Sequence, residues 1–313
     1  MAGAQSPHEI QWFKVPTPDG RALEVMTAGD EGAFPLVFHH GTPSAATPFA
    51  LTADAAARNG LRLIEFSRAG YAGSSPRPGR RVADVVADVA TILDALGMDR
   101  FVAAGFSGGG PHALACAALL PERCAAVATI GGVAPYAADG LDFLAGMGPE
   151  NVEEFERTLA GEAELVPYLL GVAAQLATVE PDQVVASLGG LVGEVDKAAL
   201  TGDYAEWAAE SFRRSVSTGI AGWRDDDFAF ATDWGFDLSS ITRPVAIWQG
   251  GEDRMVPFAH GEWLVRHIPT ATPHLHPAEG HLSLAVTKLD QVLEDLVGSA
   301  GDAFGSGDQT GPV

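Results

Sequence analysis

Phe101-Val-Ala-Ala-Gly105-Phe-Ser107-Gly-Gly109-Gly-Pro-His112-Ala-Leu-Ala-Cys116-Ala-Ala-Leu-Leu120 is the stretch whose reading decides the fold. Residues 101–106 are continuously apolar or glycine, too few for a helix, and match a strand buried on both faces. Residues 108–120 carry no acid, lysine or arginine and read as a helix directly behind it. A serine at such a junction sits on a sharp turn with its Oγ above the sheet. Gly105-Phe106-Ser107-Gly108-Gly109 is accordingly a G-x-S-x-G motif. Its glycines are needed because a side chain there would collide with a neighbouring strand or helix. The helix N-terminus behind Ser107 supplies oriented N–H groups and positive potential for a developing oxyanion.

The alternation continues outward in both directions. Residues 35–40, 61–66, 125–130, 244–249 and 273–276 read as further short strands, and residues 48–59, 81–97, 258–267 and 282–297 as helices. Apolar strands separated by helices predict an α/β architecture, with a mostly parallel sheet covered on both faces. Ahead of it, residues 9–15 and 21–28 alternate around Thr17-Pro-Asp-Gly20 and predict an antiparallel hairpin. From residue 136 to 237 the strand signal disappears, and helices are expected at 152–159, 162–176, 181–191 and 204–216. The expected organisation is a core over 1–135, a helical cap insertion over 136–237, the rest of the core over 238–298, and a disordered Gly/Asp/Ser-rich tail over 299–313.

Composition bounds the function. The chain has 313 residues, enough to bury a core without disulfides or structural metal. Its 19 Lys and Arg against 41 Asp and Glu leave a formal net charge of −22, a field that repels phosphate backbones and anionic lipids. Neither nucleic acid nor a membrane is therefore an expected partner. The uncharged run at 101–121 is interrupted by Gly108, Gly109, Gly110, Pro111 and His112 and does not read as a membrane span. Residues 1–20 carry no signal-peptide pattern, and Cys116 and Cys124 make no disulfide framework, so a cytoplasmic location is expected.

A serine hydroxyl needs a base to become a nucleophile, and the base needs an acid to orient it. Asp253, in Gly250-Gly-Glu-Asp253, follows one strand, and His281, in Glu279-Gly-His281, follows the last, so both fall on the same sheet edge as Ser107. His40-Gly41-Thr42-Pro43 follows the first parallel strand. Gly41 lets the chain turn there, and the N–H groups of Thr42 and Gly108 then make an oxyanion hole, with His40 as a brace for the loop.

These elements, with Arg68-Ala-Gly-Tyr71-Ala-Gly-Ser74, resemble the cap-bearing serine esterases of the α/β-hydrolase superfamily over residues 9–297. The resemblance implies a Ser107, His281, Asp253 triad, an acyl-enzyme, and no metal or organic cofactor. A small substrate is expected, uncharged because the net charge of −22 disfavours anions near the cleft, and largely apolar because of the large apolar side chains of the insertion. Ser107 stands where haloalkane dehalogenases and epoxide hydrolases of this fold carry aspartate, which disfavours both chemistries. Ser67 stands where the family often has aspartate, so any salt bridge made by that acid is missing here. Ester hydrolysis is the expected reaction. Lactone, thioester, amide or C–C cleavage on the same triad, or a non-catalytic small-molecule receptor, are the alternatives. The sequence does not settle the oligomeric state.

Several residues read more plainly. Asp225-Asp226-Asp227 is expected to be a solvated turn or helix start. His274 and His276 share a strand face without a third metal ligand. His112 is expected to pack. Of Phe143, Leu144, Met147, Phe155, Tyr168, Leu169, Trp207, Phe212 and Trp223, most are expected to fill helix interfaces and the rest to roof the site.

Overall fold

The computed structural model describes residues 9–301. The opening segments pair as expected: β1 (Gln11–Pro16) and β2 (Ala22–Ala28) are antiparallel, with Val15 opposite Leu23. Then come β3 (Phe34–His39), β4 (Leu61–Phe66), β5 (Phe101–Phe106), β6 (Cys124–Ile130), β7 (Val245–Gly250) and β8 (Ala271–His276). They form one sheet in the order β1-β2-β4-β3-β5-β6-β7-β8. From β4 to β8 every pairing is parallel. This is why the loops after β3, β5, β7 and β8 all open at one edge.

Helices cover both faces. On one face lie α1 (Ala50–Arg58) and α11 (His281–Ala300), and Leu284, Leu289, Val292 and Leu293 of α11 pack on Leu63, Val102 and Trp248. The other face carries α2 (Val85–Ala95), α3 (Gly109–Leu119) and α10 (Phe258–His267), with Val89, Ile92, Leu114 and Leu264 in its core. Each fully buried leucine or isoleucine contributes roughly 1.5–3 kcal/mol. The last helix continues to Ala300, so residues 299–300 are ordered helix and not tail. The expected disorder of 302–313 lies outside the described residues.

Between β6 and β7 the chain is helical: α4 (Pro149–Ala160), α5 (Glu162–Leu176), α6 (Val184–Leu188), α7 (Glu194–Ala199), α8 (Gly202–Ser215) and α9 (Ala221–Ala231). The single helix expected at 181–191 is instead a short α6 between two 3₁₀ turns, broken where Gly189 takes φ 55°. Helix α7 was not anticipated, and α9 encloses the 225–227 run that was expected to be a solvated turn or helix start. No helix among the described residues is long and apolar enough to cross a membrane.

Candidate active site

Ser107 occupies the β5–α3 junction with φ 54°, a left-handed conformation that costs an L-residue about 1–2 kcal/mol. The surroundings impose it. Its N–H donates to the Ile130 carbonyl at 2.8 Å, and a Cβ on Gly105 or Gly109 would collide with the backbone of Gly109 or His39.

Asp253 and His281 meet across the edge of the sheet, Asp253 Oδ2 lying 2.7 Å from His281 Nδ1. The carboxylate is fixed from behind. Its Oδ1 accepts from the N–H groups of Met255 and Val256, each at 2.8 Å, and its Oδ2 accepts from Gln249 Nε2 at 3.1 Å. This geometry puts the imidazole proton on Nδ1 and leaves Nε2 bare, and Nε2 has no partner among the described residues. Burial pulls the His281 pKa down, but the Asp253 carboxylate outweighs it with help from Asp196, and the net direction is upward.

Asp196, from α7, is a residue that the sequence reading missed. It is fully buried and caps α11, accepting from the N–H groups of His281 at 3.1 Å, Leu282 at 2.9 Å and Ser283 at 2.9 Å. A carboxylate over a helix N-terminus is favourable both as hydrogen-bond acceptor and as charge. Because its charge favours the protonated imidazole, Asp196→Asn should lower the His281 pKa. The acid limb of a pH profile that depends on neutral His281 then moves to lower pH. A limb that stays put or moves up would show that the charge of Asp196 does not reach His281.

The loop 40–43 is braced as expected. His40 Nε2 accepts from the Arg68 N–H at 3.2 Å, so Nδ1 carries the proton and donates to the Gly41 carbonyl at 2.9 Å. Burial, with Arg68 nearby, holds His40 well below its usual pKa and keeps it neutral. Among the described residues no backbone carbonyl accepts from the N–H of Thr42 or of Gly108. His112 packs in the interior, its pKa pushed down to about 4 by burial. His274 and His276 stack on Trp248 at 4.0 and 5.4 Å, and His274 lies 3.1 Å from Asp295.

The acidic run departs from expectation. Asp225, Asp226 and Asp227 are buried inside α9, not solvated, because the core and the helix itself supply cations. Asp226 faces Arg68 and Arg80, each at 2.6 Å, and Asp225 pairs with Arg224 at 2.7 Å. Asp227 is instead pushed up, first by burial and then by Glu154 beside it. Nor is the position of Ser67 left without an acid: Ser67 Oγ donates to Glu24 Oε1 at 3.0 Å, and Glu24 pairs with Arg214 of α8 at 2.6 Å.

A cavity of about 420 Å³ lies between the sheet edge and the helical insertion, and Ser107, His281 and Thr42 line it. Of the insertion's large side chains, Tyr168, Trp207, Phe212 and Trp223 reach this wall. Phe143 and Met147 are buried in the core beneath it instead, with Leu144 and Phe155 packed against them, and Leu169 is buried within the insertion. Trp207 is held by Phe49 and Tyr204, at ring separations of 4.8 and 5.4 Å, and by a 3.1 Å bond to the Thr47 carbonyl. Among the described residues no lysine or arginine lines the wall, which carries Glu65, Glu150 and Glu154. Burial pushes the Glu65 carboxyl up to about 8.

Known proteins resemble this chain over most of its length. The family model described as alpha/beta hydrolase fold matches residues 35–286. A non-heme chloroperoxidase from Streptomyces lividans is 29% identical over 253 residues, 78% of this chain and 83% of that protein. A 2-hydroxy-6-oxononadienedioate/2-hydroxy-6-oxononatrienedioate hydrolase from Burkholderia vietnamiensis is 27% identical over 259 residues, 79% of this chain and 80% of the other. Among solved structures, an esterase from Exiguobacterium antarcticum superposes with a TM-score of 0.63 at 18% identity, covering 93% of this chain and 99% of its own. With the parallel sheet and the serine turn in place, the chain belongs to the α/β-hydrolase fold family and is a hydrolase.

Proposed function

We propose that the protein cleaves a neutral carboxylic ester through an acyl-enzyme on Ser107, beneath a cap formed by the helical insertion. The observation that carries this reading is the bare Nε2 of an Asp253-held His281 on the wall that also holds Ser107. Nε2 takes the Ser107 proton as Oγ attacks the carbonyl carbon. Asp253 stabilises the imidazolium that results. The N–H groups of Thr42 and Gly108 receive the negative charge on the carbonyl oxygen. Collapse expels the alcohol, which takes the proton from His281. Water then attacks the acyl-enzyme by the same route, releasing the acid and restoring Ser107.

The lining points to the charge of the substrate. With no Lys or Arg on the wall and three carboxyls on it, a substrate carboxylate would lose its hydration without gaining a cationic partner. That argues for an uncharged, largely apolar ester, and against a dioate of the kind in the Burkholderia enzyme's name. Two free buried thiols fit the proposed cytoplasmic location. The test compares p-nitrophenyl butyrate with the mono-p-nitrophenyl ester of succinic acid. kcat/KM should favour the neutral ester by at least about 100-fold, since burying an unpaired charge costs several kcal/mol. Equal turnover would overturn the substrate class. Turnover that survives in Ser107→Ala would overturn the mechanism.

A further inference from the structure

We infer that Asp226, carried by the helical insertion, is a positioning residue for the loop that binds the oxyanion, so that the insertion completes the catalytic geometry of the core. The inference rests on the reaction proposed above and adds a residue to it.

Asp226 is fully buried, and all its partners come from the core. Its Oδ2 accepts from Arg68 Nη2 at 2.6 Å, Thr42 Oγ1 at 2.8 Å and Tyr71 Oη at 2.9 Å. Its Oδ1 lies 2.6 Å from Arg80 Nη2 and 3.5 Å from His112 Nε2. Arg68, oriented by this carboxylate, donates through Nη1 to the His40 carbonyl. Its Nη2 reaches the Gly41 carbonyl and Thr42 Oγ1, each at 2.8 Å.

The Gly41 carbonyl and the Thr42 N–H are the two ends of one planar trans peptide, and they point in opposite directions. Holding that carbonyl against Arg68 therefore turns the Thr42 N–H the other way. Ser107 is close to this loop, since a Cβ on Gly41 would lie 3.4 Å from Ser107 Cβ. The second proposed donor is tied to the same side chain. A Cβ on Gly108 would lie 2.6 Å from Thr42 Oγ1 and 3.0 Å from Phe230 of α9. The hydroxyl that Asp226 accepts from thus rests on the residue that supplies the other N–H. A buried ion pair of purely structural value would have no reason to include the Thr42 hydroxyl and two carbonyls of this loop.

The test uses the full chain and follows the rate at which a fluorophosphonate modifies Ser107, a reaction that needs the oxyanion site but no knowledge of the natural substrate. Asp226→Asn preserves volume and removes the charge that orients Arg68. Its labelling rate should fall about 100-fold, the scale set by small misplacements of catalytic groups. On p-nitrophenyl butyrate, kcat should fall with KM little changed. The rate advantage of that ester over its thiono analogue, whose sulfur makes weaker hydrogen bonds, should shrink.

Should Asp226→Asn fail to fold, Thr42→Val cuts only the hydroxyl link, and Thr42→Ser restores it. The valine variant is then expected to label more slowly than the serine variant, which keeps the hydroxyl. A folded Asp226→Asn that labels within twofold of wild type overturns the inference alone, as does an unimpaired Thr42→Val. Wild-type protein that does not label overturns it together with the serine mechanism.

Discussion

Ser107→Ala is expected to lower kcat on p-nitrophenyl butyrate by roughly 10⁴- to 10⁶-fold, and His281→Ala to do the same. At tenfold per 1.36 kcal/mol this is about 5–8 kcal/mol of transition-state stabilisation. The size follows from the way the two side chains depend on each other. Without Oγ there is no atom to acylate, and without Nε2 the hydroxyl keeps its proton at neutral pH. The double variant is therefore expected to be no slower than either single one. The residual rate expected is that of water attacking a carbonyl held by the proposed N–H donors of Thr42 and Gly108. More than a tenth of the activity surviving in either single variant rules out the proposed roles.

Arg68→Met is expected to lower stability by about 3–5 kcal/mol and the thermal midpoint by on the order of 10 °C. Arg68 is 2% exposed, and its guanidinium serves the Asp226 carboxylate, the carbonyls of His40 and Gly41, and the Thr42 hydroxyl. Methionine fills much of the volume but takes the guanidinium donor away from the His40 carbonyl and strips Asp226 of one of the two guanidinium groups that face it, in a place that water does not reach. Lysine does not rescue it, because one ammonium on a flexible stem cannot bridge a carboxylate and two carbonyls as a planar fork does. A midpoint within 2 °C of wild type would show that the network is not needed for stability.

The parts legible in the sequence were those whose signal is local. Gly105, Ser107 and Gly109 announce a strand turning into a helix because they stand together in one five-residue motif, although the contacts that require Gly109 and fix Ser107 come from His39 of β3 and Ile130 of β6. The strands before Asp253 and His281 are apolar runs with turn residues behind them. The ties between the insertion and the site were hidden, because Arg68 and Asp226 are 158 positions apart and a run of three acids reads as solvated surface. One local signal was nonetheless present. Trp223, Asp226, Asp227 and Phe230 recur at three- and four-residue intervals, so in a helix the two acids share the face of the aromatics. An acid on an apolar face needs a buried partner, and Arg68 and Arg80 were candidates in the Arg-x-Gly-Tyr segment and just beyond it. Asp196, on a helix of six residues flanked by loops, gave no comparable hint.

The two aspartates that the insertion sends into the core also govern what can be exchanged. Asp226 pairs with both Arg68 and Arg80, and Asp196 closes the first turn of the helix that begins at His281. Trimming the insertion to a short loop, or grafting one from a relative to alter chain-length preference, strands two buried guanidinium groups and uncaps α11. Loss of activity in such a chimera then reports damage to the core, and carries no information about selectivity unless both aspartates are kept. For engineering purposes the insertion is not an exchangeable lid, and its interchangeable part is confined to side chains such as Tyr168, Trp207 and Phe212 that face the cavity.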